Sequence, residues 1–471
     1  MGKLKNFTDK VWYGTGAVGL DLSYGMFYSF LNKYLTDVLK LKANFLLILT
    51  PIARIWDGIN DPMMGTIVDN THTKMGKYRP WILRGALMNA VVLALLFNNP
   101  GIPTTGAWIY VYTAVLYIGW GMTNTLADIP YWSMVPSFTT DPNERSLIAT
   151  IARTFSGLGQ GIISIGAPLL MKYISVTTSA DGSKVWDTRS FSIISLIAAA
   201  GLVFFASLSV AKTKETVVTA PAEKFSFKKI LNIAKNNDQL RIFMLFAMLS
   251  NAGFYMISGV GVYFFDVCVG DASLQSMFNT FGAVGSILGL AVIPIGLKFT
   301  TRRRTYQFSL LLAAAGFVGM LLGAKVFDAV MILYIFNMIA QIGTAAMFVS
   351  QTVFLADIVD YGEVKMGFRA ESVTFSMKGF LQKMAYTIQT VILYAGMFLT
   401  GYDSELHAAN SGAVKTSFDL MMLVIPALLM IASLLIFTFK FKLHGEYMES
   451  ITAKVNEARE QRLTQAAEKE G

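Results

Sequence analysis

Residues 189–211 read RSFSIISLIAAAGLVFFASLSVA, and Arg189 is the only charged residue among them. A helix of about 20 mostly apolar residues is long enough to cross the hydrocarbon core of a bilayer. The next residues, 212–238, read KTKETVVTAPAEKFSFKKILNIAKNND, a polar stretch rich in lysine. An apolar run of this length that ends at a basic loop predicts a transmembrane helix followed by a cytoplasmic loop.

Stretches of the same kind recur along nearly the whole chain. The 471 residues are 54% hydrophobic and 15% charged, whereas soluble domains carry roughly a quarter charged residues. Because lipid offers the backbone no hydrogen-bond partners, each span is expected to be a helix. Twelve spans are predicted, at 12–35, 44–68, 80–98, 106–128, 145–173, 189–211, 239–268, 274–297, 304–325, 328–358, 371–400 and 414–440.

Lysine and arginine concentrate in alternate loops. They follow spans 2, 6, 8 and 10, in the segments 74–84, 212–235, 298–304 and 365–369. Positively charged loops stay in the cytoplasm, so both termini of this multi-pass membrane protein are predicted to be cytoplasmic. The net charge of +9 is thereby attributed to membrane topology, and no nucleic-acid partner is predicted.

The composition excludes several kinds of chemistry. Cys268 is the only cysteine, so neither an internal disulfide nor a cysteine-based metal site is expected. His72, His407 and His444 lie in predicted loops or in the tail, which argues against a histidine proton relay within the membrane. Walker A, HExxH and nucleophile-elbow motifs are absent from the sequence, so the chain is not predicted to be an enzyme. No cofactor is expected beyond a coupling ion.

The polar stretch at 212–238 divides the chain into two sets of six spans. We predict an N-terminal bundle (1–211), a cytoplasmic middle loop (212–238), a C-terminal bundle (239–445) and a charged cytoplasmic tail (446–471). Two related six-helix bundles around a central cavity describe the major facilitator architecture, an all-α integral membrane fold. In that fold the substrate binds near the membrane midplane, and alternating access follows from rocking of one half against the other.

Three oxygen-bearing residues share one face of span 2. Asp57, Asn60 and Asp61 stand at i, i+3 and i+4, a spacing that places side chains together on a helix. Two carboxylates and an amide oxygen could hold Na⁺, Li⁺ or a hydrated proton, because a cation relieves the repulsion between like charges. The alternatives are a helix end in water or acids paired with arginine.

Span 4 carries a second polar stripe. Thr125, Asp128 and Trp132 follow i, i+3, i+7 spacing, which gives one stripe if Pro130 only kinks the helix. A carboxylate accepts hydrogen bonds from sugar hydroxyls, and an indole covers the apolar face of a sugar ring. The alternative is an interfacial tryptophan beside a helix-end acid.

Three further charges lie inside predicted spans. They are Asp21 in span 1, Arg153 in span 5 and Lys383 in span 11. Charges at membrane depth are costly and usually functional. Arg153 and Lys383 need carboxylate partners, and a bond from Lys383 to the N-terminal acids would link the two halves. Snorkelling towards an interface is the alternative for both basic side chains.

Six motifs together resemble the glycoside–pentoside–hexuronide:cation symporters, and within that family its melibiose and lactose transporters. They run in order from span 1 to span 11: Tyr13-Gly-x-Gly-Ala…Asp21, Ala53-Arg-Ile-Trp-Asp-Gly-Ile-Asn-Asp-Pro62, Gly76-Lys-Tyr-Arg-Pro-Trp81, Trp120-Gly-Met-Thr…Asp128-Ile-Pro-Tyr-Trp132, Asn237-Asp-Gln239 and Ala356-Asp-Ile-Val-Asp-Tyr-Gly-Glu363. The resemblance implies symport of a glycoside, such as a galactoside or a melibiose-like disaccharide, with Na⁺ or H⁺ across a bacterial plasma (inner) membrane.

The resemblance also implies the roles of individual residues. The cation is expected at Asp57, Asn60, Asp61 and Thr125, and the sugar at Asp21, Asp128, Trp132, Arg153 and Lys383. The sequence departs from the melibiose pattern at Leu20, Asn124 and Phe348, where that pattern has lysine, tyrosine and tryptophan. These changes bear on the choice of sugar and leave the cation residues intact.

The expected partners are the glycoside, Na⁺, Li⁺ or H⁺, membrane lipid and a cytoplasmic phosphotransferase regulatory protein. The carrier itself is expected to be a monomer. The sequence ends without the phosphotransferase-like domain of the lactose transporters. Two other cargoes remain open, namely a different pentoside or hexuronide and a lysolipid, because animal lysolipid carriers resemble the same family. A membrane enzyme would need a nucleophile or metal constellation, for which no motif is present.

Overall fold

The computed structural model describes residues 7–71, 73–139, 142–178, 185–215, 232–233, 235–325, 329–367 and 371–470. Long helical segments dominate these ranges, and the first twelve correspond in order to the predicted spans. They are α1 (Phe7–Lys33), α2 (Ala43–Asp69), α3 (Arg79–Phe97), α4 (Ala107–Ser133), α5 (Pro142–Ile174), α6 (Thr188–Lys212), α7 (Asp238–Val269), α8 (Ala272–Phe299), α9 (Arg302–Lys325), α10 (Val330–Met366), α11 (Glu371–Thr400), α12 (Gly412–Lys440) and the tail helix α13 (Gly445–Glu470).

Eight of these segments are both long and apolar enough to cross a membrane, counted over the described ranges. They are α3, α5 to α10 and α12. The other four, α1, α2, α4 and α11, have 27 to 30 residues each. All the predicted site residues except Arg153 lie on these four helices, which accounts for their greater polarity.

The distribution of side chains is that of a protein whose solvent is lipid. Val91 and Phe204 are 60% and 61% exposed, whereas Lys33, Arg54 and Asp57 are buried. A soluble protein would bury the first group and expose the second. The chain is therefore a multi-pass, all-α membrane protein, as predicted.

The chain forms two compact units. Unit 1 comprises Met1–Lys224, Ser258–Asn279 and Thr390–Phe418, and unit 2 comprises Phe225–Ile257, Thr280–Gln389 and Asp419–Gly471. Unit 1 thus contains α1 to α6 and short pieces of α7, α8, α11 and α12. The division into bundles at 1–211 and 239–445 stays a prediction, and much of the predicted middle loop, at 216–231, lies outside the described residues.

In unit 1, α1 packs against α5 and α6, and α3 packs against α4 and α6. The approach of α1 to α5 depends on Gly159. A Cβ atom there would lie 2.5 Å from the carbonyl oxygen of Val18 and 3.1 Å from the Cβ of Asp21. Glycine lets the two backbones approach in this way, as is common between membrane helices. The contact fixes the position of Asp21 against α5.

The N-terminus of α3 is capped by a residue that follows α6. The carboxylate of Glu215 accepts hydrogen bonds from the backbone N–H groups of Lys77, Tyr78 and Arg79, at 2.8, 2.8 and 3.1 Å. Helix N-termini present unsatisfied donors and attract negative charge. The Arg79 side chain also donates to the carbonyl oxygen of Val210. The start of α3 is therefore fixed to the end of α6.

In unit 2, α10 is longer than predicted and ends at Met366 rather than at residue 358. The extra turns are polar, and they have partners at the start of α7. The hydroxyl of Tyr361 donates to Asp238 at 2.7 Å, and Lys365 also bonds Asp238. The tail helix α13 packs against α10, and its Ile451 and Val455 are buried.

Candidate functional site

The span 2 acids lie in unit 1 with an arginine that the sequence interpretation did not assign. Arg54 donates from Nη1 to Asp57 Oδ2 at 2.7 Å, and both side chains are buried. Arg54 also contacts Tyr28, through a hydrogen bond of 3.2 Å to its hydroxyl and a cation–π contact of 5.2 Å. The pairing of an acid with arginine was one of the alternatives left open for this helix, and it holds for Asp57.

The opposing helix α4 contacts both acids along one face. The hydroxyl of Thr125 donates to Asp61 Oδ1 at 3.0 Å. One turn earlier, Gly121 faces Asp57, because a Cβ at Gly121 would lie 2.7 Å from Asp57 Oδ1. Gly121 therefore leaves room for that carboxylate oxygen. Gly121 and Thr125 stand at i and i+4, so α4 contacts α2 along one face of the helix.

The oxygen atoms at this place fit a hard monovalent cation. Asp57 Oδ1 is not the oxygen that accepts from Arg54, and Asp61 and Thr125 contribute carboxylate and hydroxyl oxygens. Asn60 is buried, and its Nδ2 has no hydrogen-bond partner among the described residues. The two carboxylates and Arg54 sum to one negative charge, which a single Na⁺ or proton would neutralise.

The predicted sugar-binding pair continues the same stripe. The helix α4 runs through Pro130 to Ser133, so Thr125, Asp128 and Trp132 lie on one face, as the spacing requires. The indole Nε1 of Trp132 donates to Asp128 Oδ1 at 3.0 Å. The guanidinium of Arg153 lies over the Trp132 ring, 3.8 Å from its centroid, a favourable cation–π geometry.

Asp21 completes this group from α1. Its carboxylate accepts a hydrogen bond from Ser156, on α5, and it interacts electrostatically with Asp128 and Arg153. Four of the five predicted sugar residues are thus brought together in unit 1. The fifth, Lys383, lies on α11 in unit 2, and its bond to the N-terminal acids stays a prediction. Phe348 is also in unit 2, where its ring packs edge-on against Phe254 at 5.0 Å.

Two stacked tyrosines on α1 link the Arg54–Asp57 pair to α4. Tyr24 stacks on Tyr28 with ring centroids 5.3 Å apart, and Tyr24 shares a hydrogen bond with Asn124. Tyr28 contacts Arg54, and Asn124 immediately precedes Thr125. This row leads from the Arg54–Asp57 pair to the face of α4. The sequence interpretation missed Tyr24, Tyr28 and Arg54, although the i, i+3 spacing of Arg54 and Asp57 is a signal for an ion pair.

A reciprocal clasp joins α1 to α4 beside Trp132. The hydroxyl of Tyr13 donates to the carbonyl of Tyr131 at 2.6 Å, and that of Tyr131 donates to the carbonyl of Tyr13 at 2.8 Å. The two rings stack at 4.6 Å and are fully buried. The clasp fixes the end of α4 that carries Asp128 and Trp132 to the helix that carries Asp21.

The described residues form twelve long helices before the tail helix, with paired acids and an acid–indole pair on the most polar of them, and this arrangement defines a membrane carrier of the major facilitator type. The chain belongs to the family described as MFS/sugar transport protein, whose model matches residues 12–445. This confirms the family resemblance of the sequence motifs and the twelve-helix fold.

Two relatives and one solved structure illustrate the similarity. The isoprimeverose transporter of Lactiplantibacillus pentosus is 30% identical over 412 residues, which is 86% of this chain and 84% of the relative. The raffinose carrier protein of Pediococcus pentosaceus is 25% identical over 94% of this chain and 70% of its own length. A bacterial homologue of the human lysosomal transporter Spinster, in an inward-facing and unoccupied conformation, has the same fold, with a TM-score of 0.65, 12% identity and coverage of 96% of this chain and 99% of that one.

These comparisons define the class of activity. The chain is a sugar symporter of the major facilitator superfamily, related to sugar permeases. It is a transporter and not an enzyme, as predicted.

Proposed function

We propose that the chain imports a glycoside together with Na⁺ or H⁺ by alternating access. The observation that carries the proposal is the stripe on α4. Gly121 and Thr125 contact the two acids of α2, and Asp128 and Trp132 form the acid–indole pair on the same helix face. A cation that fixes α2 against α4 would also fix the helix that holds the sugar.

The coupling ion is assigned to Asp57, Asn60, Asp61 and Thr125. Without a cation, the charge of Arg54 balances one of the two carboxylates, Asp57 and Asp61, and one negative charge is left. One monovalent cation therefore restores neutrality. Buried carboxylates that share a site repel one another unless a cation or a proton intervenes. We assign Na⁺, Li⁺ or H⁺ to this position on the basis of charge and ligand type.

The cargo is assigned to Asp21, Asp128, Trp132 and Arg153 in unit 1, with Lys383 in unit 2. The two acids supply acceptors for sugar hydroxyls, and the indole supplies an apolar face. The relatives are named for isoprimeverose, raffinose and lactose, which supports a glycoside, including a galactoside or a melibiose-like disaccharide. Because the gradients of Na⁺ and H⁺ across a bacterial inner membrane are directed inward, coupling of the cargo to either ion makes the direction import.

A lysolipid cargo has little support from the structure. An apolar groove of about 900 Å³ lies between α3 and α6. Its lining includes Leu87, Val91 and Phe204 and none of the predicted site residues. Val91 and Phe204 are highly exposed, and such surface on a membrane protein faces bilayer lipid.

A sugar panel tests the proposal most directly. Binding of isoprimeverose, raffinose, lactose and melibiose to purified protein is measured by isothermal titration, with and without saturating Na⁺, at two pH values. At least one glycoside should bind, and a cation should raise its affinity. Binding of no glycoside under any of these conditions, with binding of a lysolipid instead, would overturn the assignment.

A further inference from the structure

A buried cluster of charges lies in unit 1 at the end of α1, outside the predicted sugar and cation sites. The ammonium group of Lys33 donates to Asp37 Oδ2 at 2.6 Å and to Asp266 Oδ2 at 2.7 Å. The side chains of Lys33, Asp37 and Asp266 are 3%, 6% and 13% exposed. The loop charges predict that this end of the helices is extracellular.

A histidine completes the cluster from a third segment of the chain. His407 Nδ1 lies 3.0 Å from Asp266 Oδ2, and the His407 side chain is 15% exposed. His407 begins a short 3₁₀ turn, His407–Ala409, with a left-handed φ of 40°. We call Lys33, Asp37, Asp266 and His407 the latch. It joins the end of α1, the end of α7 and the connector that follows α11.

Hydroxyl groups and π-helical turns hold the latch in place. Tyr402 and Thr36 donate to Asp37 Oδ1 at 2.9 and 2.7 Å, and the ring of Tyr263 lies 5.1 Å from the Lys33 ammonium. Asp37 lies in the π-helical turn Tyr34–Val38, and Asp266 in the turn Phe264–Val269. Such turns are rare and frequently mark functional positions.

The latch is electrically neutral only when His407 carries a proton. Lys33 offers one positive charge to two buried carboxylates, which leaves one negative charge if His407 is neutral. The lysines described nearby do not balance it, because Lys40 pairs with Glu405 and Lys172 pairs with Asp271. An uncompensated buried charge is strongly destabilising.

The environment of His407 favours its protonated form. The hydrogen bond to Asp266 raises the pKa of His407 above its usual 6.5, against the opposing effect of burial, and the charge of Lys33 also opposes it while that of Asp37 assists. A group with a raised pKa stabilises the assembled state fully below its ordinary pKa. That contribution is lost as the pH rises through the raised pKa.

We propose that His407 and Asp266 form a proton-binding site, distinct from the coupling-ion site, whose protonation holds the ends of α1, α7 and α11 together and whose deprotonation lets them separate. The inference goes beyond the proposed symport, because it concerns access to one end of the carrier and holds whichever ion drives transport. Acid keeps the latch closed, and mild alkali opens it.

The only cysteine of the sequence supplies a reporter. Cys268 lies two residues after Asp266 in the same π-helical turn, is partly exposed, and its sulfur lies 3.5 Å from the carbonyl oxygen of Lys415. The rate at which a charged methanethiosulfonate reagent labels Cys268 is measured on the full-length protein in proteoliposomes between pH 5.5 and 8.5. Sugar and Na⁺ are omitted, so the result does not depend on the coupling mechanism.

Two variants move the charge of the latch in opposite ways. His407→Gln keeps a net negative charge at every pH, so its labelling should exceed that of the wild type at pH 5.5 and match it at pH 8.5. Asp266→Asn makes the latch neutral without a proton, so its labelling should fall below that of the wild type at pH 8.5 and match it at pH 5.5. The labelling rate of a variant divided by that of the wild type should change about tenfold for each unit by which the pKa of His407 differs between the closed and open states.

Dividing the labelling rate of each variant by that of the wild type at the same pH removes the effect of thiol ionisation, which the two proteins share. As a matched control, Glu405→Gln breaks the exposed pair on the same connector, and its ratio should stay near one throughout. If one variant does not fold, the other still gives a signed result. Ratios for His407→Gln or Asp266→Asn that do not vary with pH, or that lie on the same side of one for both variants, would overturn the proposal.

Discussion

At the scale of single residues, the site depends on carboxylates whose partners differ. Asp57 is held by Arg54, Asp61 by Thr125 and Asp128 by Trp132. Each acid is therefore oriented before any ligand arrives, which reduces the entropy lost on binding. Only Arg54 among the three partners is charged, so replacement of Asp57 should have a different effect from replacement of Asp61 or Asp128.

Asp128→Asn tests the sugar assignment. The amide keeps the size of the side chain and can still accept from Trp132, but it lacks the charge that strengthens hydrogen bonds from sugar hydroxyls. Sugar binding should weaken by about 1.5–3 kcal/mol, the usual worth of a hydrogen bond to a charged group. Isothermal titration measures the loss, and Glu457→Gln on α13 serves as a control of equal charge change. Unaltered sugar affinity in Asp128→Asn would remove Asp128 from the site.

At the scale of helices, α4 is the element that relates the two proposed ligand sites. It contacts α2 through Gly121 and Thr125, and it is clasped to α1 through the pair Tyr13 and Tyr131. Movement of α4 would therefore alter both ligand sites together. These contacts hold α4 at its middle and near its C-terminal end. Because packed interiors have little free volume, a helix held in this way transmits small displacements to its neighbours.

Gly121→Ala tests the contact between α4 and α2. The added methyl group would lie 2.7 Å from Asp57 Oδ1, so the carboxylate or the helix must shift. Such overpacking typically costs about 1–3 kcal/mol, and we expect the loss in cation affinity, measured as the concentration of Na⁺ that half-stimulates sugar binding. Gly119→Ala is the matched control on the same helix, since a methyl group there would meet only a Val92 carbon at 3.9 Å. Equal effects of the two substitutions would contradict a specific role for Gly121.

At the scale of the whole molecule, symport requires that the two ligands favour the same state. Linkage is reciprocal, so Na⁺ should raise sugar affinity by the factor with which sugar raises Na⁺ affinity. Couplings of this kind are commonly about 1–3 kcal/mol, or roughly 5–150-fold.

Asp61→Asn should remove this linkage. The amide still accepts from Thr125 but leaves the cation position without its negative charge, since Arg54 already balances Asp57. Titration of sugar at zero and saturating Na⁺ should give equal affinities in the variant and different ones in the wild type. Concentrative uptake should be lost while downhill sugar transport persists in part. Retained stimulation by Na⁺ in Asp61→Asn would place the ion elsewhere.

Much of the fold follows from sequence because each span satisfies its own backbone hydrogen bonds. The apolar runs and basic loops therefore predict the helices in order, and the spacing of Thr125, Asp128 and Trp132 predicts a shared face. The extension of α10 to Met366 was not predicted, since its last turns are stabilised by Asp238 rather than by lipid.

Contacts between distant segments were beyond sequence reasoning. Nothing in the sequence indicates that Gly121 lies close to Asp57. The side-chain partner of His407, Asp266, is 141 residues away in sequence. The local signal that could have been used is Arg54, three residues before Asp57. The polar residues of α1, α2, α4 and α11 were evident in the sequence, whereas the contacts with neighbouring helices that compensate them were not.

The cap that Glu215 places on α3 has a consequence for where the gene can be divided. A transporter expressed as two fragments reassembles only if each fragment retains what it needs to fold. A break after residue 211, at the last apolar residue of α6, would leave the acceptor for three backbone donors of α3 on the wrong fragment. A break after residue 215 keeps it. Paired fragments divided at 215 should therefore accumulate in the membrane better than those divided at 211, and Glu215→Gln in the fragment 1–215 should lower the yield again. The folding unit of the first half extends past its last membrane-embedded residue, by the few positions that reach back to α3.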